Sequence, residues 1–155
     1  MSGLVRANPG LSGVVFDLPA VKKGELDSND GHLRIKYVYG DFFDHVPKGG
    51  DIYILKSVLH NWDDASCIKI LQNCHAVMKG NSRLLIIERI VSSGNEKSEA
   101  KLFDINMLVV TGGQERTVEE YRRLFHESGF TLTKTVNTSS ALSLLEGVVR
   151  AEGSK

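Results

Sequence analysis

The chain has 155 residues, 41% hydrophobic and 25% charged, the proportions of a folded globular domain rather than a disordered, fibrous or disulfide-dense chain. Its 19 Lys and Arg balance 19 Asp and Glu, so no net field draws in phosphate backbones or anionic lipid heads, and nucleic acid is not an expected partner. The longest apolar runs, such as Leu84 to Ile87, fall far short of the roughly 20 residues of a membrane span. The first six residues, Met1 to Arg6, lack a signal-peptide core, and the expectation is one cytoplasmic domain that does not enter a membrane.

In chain order, Met1 to Pro9 reads as the tail of a helix. Gly13 to Phe16, Ile35 to Tyr39, Ile52 to Leu55 and Leu84 to Ile87 are short runs rich in β-branched and aromatic residues, which predicts four strands. Their nearly continuous apolar character suits strands covered on both faces, as in a parallel sheet wrapped by helices. Lys22 to His32 and Ser92 to Ser98 are polar and read as surface loops.

Between the third and fourth strands, Asp63 to Lys79 places Cys67, Leu71, Cys74 and Met78 at helical spacing, with an aspartate to open the helix and Gly80 to stop it. Its two cysteines, seven residues apart, lie about 10 Å apart at ~1.5 Å per residue. That is beyond disulfide reach, and two thiols are too few for a metal site, so both are expected as buried thiols and no metal is expected. A further helix is predicted over Glu99 to Val110, ahead of Gly112-Gly113. Thr117-Val118-Glu119-Glu120 is a capping box that opens another, ending near Gly129. Phe130 to Val136 and Ala141 to Val149 are joined by only four residues, too few for a crossover helix, and must pair antiparallel. The predicted fold is α/β, with a mixed, mostly parallel sheet ending in an antiparallel hairpin.

In open α/β sheets ligands bind beyond the carboxyl ends of the strands. Asp17, Asp41, Lys56 with His60, and Glu88 each follow a predicted strand, which suggests one polar cleft. Each also has a plainer reading: Asp17 and Asp41 as turn residues, Lys56 as an exposed lysine, His60 as a satisfied core histidine. Glu88 is the hardest to dismiss, since an acid closing an apolar strand is costly to bury without compensation. The remaining histidines, His32, His45, His75 and His126, are expected in solvated roles.

Four stretches, Phe16-Asp17-Leu18-Pro19, Gly40-Asp41-Phe42-Phe43, Leu55-Lys56-Ser57-Val58-Leu59-His60-Asn61-Trp62-Asp63-Asp64 and Gly112-Gly113-Gln114-Glu115-Arg116-Thr117, resemble the plant and bacterial small-molecule O-methyltransferases. The resemblance runs over nearly the whole chain and implies the Rossmann-like fold of S-adenosylmethionine-dependent methyltransferases. By that resemblance Asp17 binds the ribose hydroxyls of S-adenosylmethionine, Asp41 and Phe42 hold the adenine, and Lys56 lies along the cofactor. His60 is the general base, Glu88 and Glu115 flank its imidazole, and Trp62, Asn106 and Met107 lie near cofactor or acceptor. Asn61 stands where the family usually has Asp. The family's first strand with its Gly-rich turn, and its N-terminal dimerisation domain, have no counterpart in the sequence, so residues 1 to 155 are expected to be one N-terminally truncated catalytic domain. Full-length relatives are expected to be homodimers.

Methyl transfer to oxygen requires the acceptor oxygen, methyl carbon and sulfur in line, and a base for the hydroxyl proton. Histidine, with an ordinary pKa near ~6.5, supplies a neutral imidazole at neutral pH, and a carboxylate on its other nitrogen fixes the tautomer. A phenol, with pKa near ~10, is within reach of such a base, so the expected acceptor is a small aromatic hydroxyl compound. Two other readings stand beside this one. An acid after the second strand of a dinucleotide fold also suits a nicotinamide-dependent oxidoreductase, and the missing Gly-rich turn suits a non-catalytic remnant that associates with a partner.

Overall fold

A computed structural model describes residues 1–21, 34–92 and 113–151. The helix predicted over Glu99 to Val110 lies outside them, as do the two predicted surface loops apart from Ser92. No helix among the described residues is long and apolar enough to cross a membrane. The chain divides into two compact units, Met1–Pro47 and Lys48–Lys155.

The first unit holds helix α1 (Ser2–Ala7) and strands β1 (Gly13–Asp17) and β2 (Ile35–Tyr39), which pair in parallel with Asp17 opposite Tyr39. Helix α1 stops before Pro9, and the Asn8 side-chain amide donates to the carbonyl of Leu4. The amide of Gly40 donates to the carbonyl of Asp17 at 3.0 Å, which ties the two strand ends together. A Cβ at Gly40 would sit 2.8 Å from the Phe16 ring; glycine permits that approach.

The second unit contains β3 (Ile52–Lys56), a 3-10 turn (Leu59–Asn61), α2 (Asp64–Val77), β4 (Arg83–Glu88), α3 (Val118–Glu127), β5 (Phe130–Asn137) and β6 (Ser143–Val149). Its sheet runs β3-β4-β6-β5, parallel between β3 and β4 and antiparallel through the β5–β6 hairpin. Helix α2 begins where Asp63 accepts from the amide of Ser66. It ends at Val77, short of Gly80, because Met78 is extended and Ser82 takes over the turn: its hydroxyl accepts from the amide of Lys79 and donates to the carbonyl of Gly50. The capping box of Thr117 and Glu120 opens α3 as the sequence predicts.

The core of this unit gathers Cys67, Ile70, Leu71 and Cys74 of α2, Leu84 and Ile86 of β4, Tyr121, Leu124 and Phe125 of α3, Phe130 and Leu145. Phe125 and Phe130 meet edge to face, and a Cβ at Gly147 would collide with the Phe125 ring. Both cysteines are buried and free, and burial pushes their thiols up to about 11 for Cys67 and about 12 for Cys74. Coverage on both faces is not general. Strand β3 lies outermost among the described strands of this sheet, and its Ile52 and Ile54 are 51% and 37% exposed. His75 also departs from expectation: it packs edge-on against Phe130, 5.2 Å between ring centres, because Gly129 leaves room for it.

Candidate active site

The second unit brings His60, Glu88 and Glu115 together from three separate stretches of chain. Strand β3 leads into Ser57, whose φ of 54° lies in the left-handed region that a non-glycine residue adopts only under constraint. The chain then closes the three-residue turn that carries His60. Glu88, at the end of neighbouring β4, is fully buried, and its Oε1 accepts hydrogen bonds from the amides of Val58 and Leu59, both at 2.9 Å. A carboxylate is thus built into the start of the turn. Its Oε2 lies 3.3 Å from Nδ1 of His60.

Glu115 reaches the same nitrogen from another direction. Past the end of β4 the chain bridges Ile90 to Arg116 in parallel, with the amide of Val91 donating to the carbonyl of Arg116. This sets Oε1 of Glu115 3.5 Å from Nδ1 of His60. Gly113 allows the close approach: a Cβ there would strike the carbonyl oxygen of His60 and come within 2.6 Å of the Asn61 carbonyl carbon.

Both carboxyls are held above the ordinary range. For Glu88 burial raises the pKa, opposed by His60 and by the backbone amides. For Glu115 burial is again the largest cause, with His60 lowering it and the charge of Glu88 raising it further. Both carboxyls face the same ring nitrogen, Nδ1 of His60. The same three side chains are the described residues that could surround a metal ion, with ligand atoms within 4.8 Å of one another. Oε1 of Glu88 is already committed to two amides.

The other residues singled out in the sequence are placed as follows. Asp17 ends β1, is exposed, and accepts from the amide of Leu18 at 2.8 Å; beside it a shallow depression is lined by Val15, Asp17, Val21, Tyr37 and Tyr39. Asp41 follows β2 and accepts from the amide of Phe43 at 2.8 Å, the turn role weighed for it, while Phe42 packs edge to face on Phe43. Lys56 ends β3 and is exposed. Trp62 closes the His60 turn, its amide donating to the carbonyl of Leu59. Asn61 donates from its side-chain amide to the carbonyls of Ser57 and Val58, both at a long 3.4 Å. Asn106 and Met107 lie outside the described residues.

Sequence reasoning gave no role to Arg116 or Tyr121. Arg116 is fully buried, and Tyr121 is buried with its hydroxyl raised well above the ordinary value by burial first and by Glu88 next. The sequence signal at Arg116 was an arginine directly before a capping box.

Residues 1–131 match the model of the O-methyltransferase domain. Phenazine O-methyltransferase PhzM of Lysobacter antibioticus is 41% identical over 94% of this chain and 44% of its own length. The crystal structure of LaPhzM superposes with a TM-score of 0.90 at 40% identity, over 96% of this chain and 46% of that one. An O-methyltransferase from neocarzinostatin biosynthesis, NcsB1, solved in complex with S-adenosylmethionine and 2-hydroxy-5-methyl naphthoic acid, superposes at 0.82 with 32% identity, over 96% of this chain and 44% of that one. The chain spans about half the length of the relatives it matches.

Proposed function

The chain belongs to the O-methyltransferase domain family, and we propose that it serves an S-adenosylmethionine-dependent methyltransferase acting on the hydroxyl of a small aromatic compound, with His60 as general base. The observation that carries this reading is Nδ1 of His60 set between Oε2 of Glu88 and Oε1 of Glu115. S-adenosylmethionine would supply an electrophilic methyl group on its sulfonium, for transfer to the acceptor oxygen with S-adenosylhomocysteine as the leaving group.

The residues of the chain do the rest. His60 takes the hydroxyl proton on Nε2, and the imidazolium so formed is stabilised by the carboxylate facing Nδ1. The buried carboxyls also hold the ring in one orientation, so no reorganisation is needed when charge develops. On the first unit, the exposed carboxylate of Asp17 beside the Tyr37 and Tyr39 depression fits ribose hydroxyls. Asp41, Phe42 and Lys56 are assigned to the same cofactor, and Trp62, Asn106 and Met107 to the acceptor side. An aromatic acceptor is favoured by NcsB1, whose bound 2-hydroxy-5-methyl naphthoic acid carries a ring hydroxyl. On this reading residues 1 to 155 work within one catalytic domain, in the cytoplasm.

His60→Ala tests the reading directly. Turnover toward simple phenols should fall by about 10²–10⁴-fold, while calorimetric affinity for S-adenosylhomocysteine stays the same. A variant that keeps more than about half of wild-type turnover would show that another group takes the proton.

A further inference from the structure

The turn that carries His60 is three residues long, and a turn that short cannot hold a side chain rigidly by its own hydrogen bonds. We infer that Arg116 is a positioning residue for His60, an inference that rests on the general-base reading of that histidine. Its guanidinium is fully buried and donates from Nη1 to the carbonyl of Leu59 at 3.1 Å and from Nη2 to the carbonyl of Trp62 at 2.8 Å. Leu59 and Trp62 bracket His60 in the sequence. The planar fork therefore grips the turn on both sides of the base.

The same group is anchored elsewhere. Nε and Nη2 donate to Oδ1 of Asp64, at 2.9 and 2.7 Å, which fixes the fork on the first residue of α2. Nη1 also reaches the carbonyl of Gln114 at 3.3 Å. Arg116 follows Glu115 directly, so one residue links the turn that holds His60 to the segment that brings Glu115 to it. Leu59 is held twice, its amide by Glu88 and its carbonyl by Arg116.

Ion pairing alone does not account for burying this arginine. The Asp64 side chain is 55% exposed, and an ion pair open to water on one side is worth little. What burial achieves is a dry, directional pair of donors for two carbonyls. Lysine, with a single compact ammonium, cannot span Asp64, Leu59 and Trp62 at once. Loss of the fork should leave the chain folded, because the Cys67 thiol lies 3.2 Å from the Leu59 carbonyl and 3.6 Å from that of Trp62 as a weaker donor to both.

Arg116→Lys in the protein is the test, with the wild type and His60→Ala beside it. The readouts are kcat, the dissociation constant for S-adenosylhomocysteine, the melting temperature, and the ¹⁵N signals of the histidine side chains. Displacement of a base by a fraction of an ångström to one ångström should lower kcat by about tenfold to a hundredfold. Cofactor affinity should change by less than about twofold, since this is a loss confined to the reacting centre. The His60 imidazole signals should move while those of exposed His126 stay. A folded Arg116→Lys protein with the His60 signals of the wild type would overturn the inference whatever its turnover. Should Arg116→Lys not fold, Asp64→Ala loosens the same fork from the exposed side and must shift the same His60 signals, or the inference fails. Full turnover in His60→Ala would sink the general-base reading, and the imidazole signals would still decide whether Arg116 positions that ring.

Discussion

Replacing Glu88 by glutamine separates what the site requires from what the fold requires. Glutamine keeps one oxygen for the amides of Val58 and Leu59 and removes the charge. The native carboxyl is raised above its ordinary 4.5, with burial the largest cause. A carboxyl that holds its proton more tightly in the folded chain than in the unfolded one adds stability below the unfolded value, and that contribution is lost as pH rises through the folded value. Across that window one such group costs about 1.36 kcal/mol per pH unit. Glu115 is raised in the same direction, partly by the charge of Glu88, so the substitution removes the share of Glu88 and lessens that of Glu115. Glu88→Gln should therefore be at least as stable as the wild type near neutral pH, and the wild-type curve should fall relative to it by up to about 1.36 kcal/mol per pH unit above the ordinary value of Glu88. Its methyl transfer should drop, because the imidazolium of His60 loses a facing carboxylate. Urea unfolding of both proteins from mildly acid to neutral pH, with turnover measured in parallel, gives both halves. Parallel stability curves, or a variant less stable than the wild type at neutral pH, would refute the claim that this carboxylate is kept at a cost to the fold.

Two other substitutions probe the parts around it. Asp17→Ala should weaken S-adenosylhomocysteine binding by about tenfold or more, the size expected for charge-assisted hydrogen bonds to hydroxyls, and an unchanged calorimetric constant would leave Asp17 only the turn role seen in its bond to the Leu18 amide. Gly113→Ala pushes a methyl group into the backbone of His60 and Asn61, where nothing flexible can yield, so it should cost about 1–3 kcal/mol of stability and reduce turnover even well below its melting temperature; a variant that melts and turns over like the wild type would disprove the close approach.

What the sequence made legible is what short-range chemistry controls. The six strands among the described residues were visible as apolar runs within one or two residues of their ends, because β-branched and aromatic residues bounded by Gly, Asn and Ser leave few alternatives. Asp63 and the box of Thr117 and Glu120 announced two helix starts, since a cap is a contact between residues three apart. Hidden were the features decided by distant pairing. That β3 pairs with β4 and lies outermost among the described strands of its sheet depends on which strands find one another and leaves no mark in its own five residues. The shift of register between Leu132 and Lys134, where Thr133 turns its hydroxyl to the carbonyl and carboxylate of Glu146, is equally invisible locally. His60 and Glu115 stood out because their neighbours form recognisable motifs, and Glu88 because it closes an apolar strand; Arg116 did not, because three of its partners are backbone carbonyls, which every residue possesses.

The departure at Asn61 follows from the same need for rigidity. A three-residue turn has few internal hydrogen bonds, and the His60 turn draws its order from outside: amides held by Glu88, carbonyls held by Arg116, and a glycine packed against its backbone. It also follows Ser57, whose left-handed backbone tends to relax unless the residues beyond it are fixed. An aspartate at position 61 has no hydrogen to offer the carbonyls of Ser57 and Val58 and would set a negative charge beside them. The amide of Asn61 donates to both, weakly at 3.4 Å, and so ties the end of the turn back to the strained residues that lead into it. In this chain, then, the residue after His60 acts on the turn itself, and the carboxyls that face the imidazole come from Glu88 and Glu115.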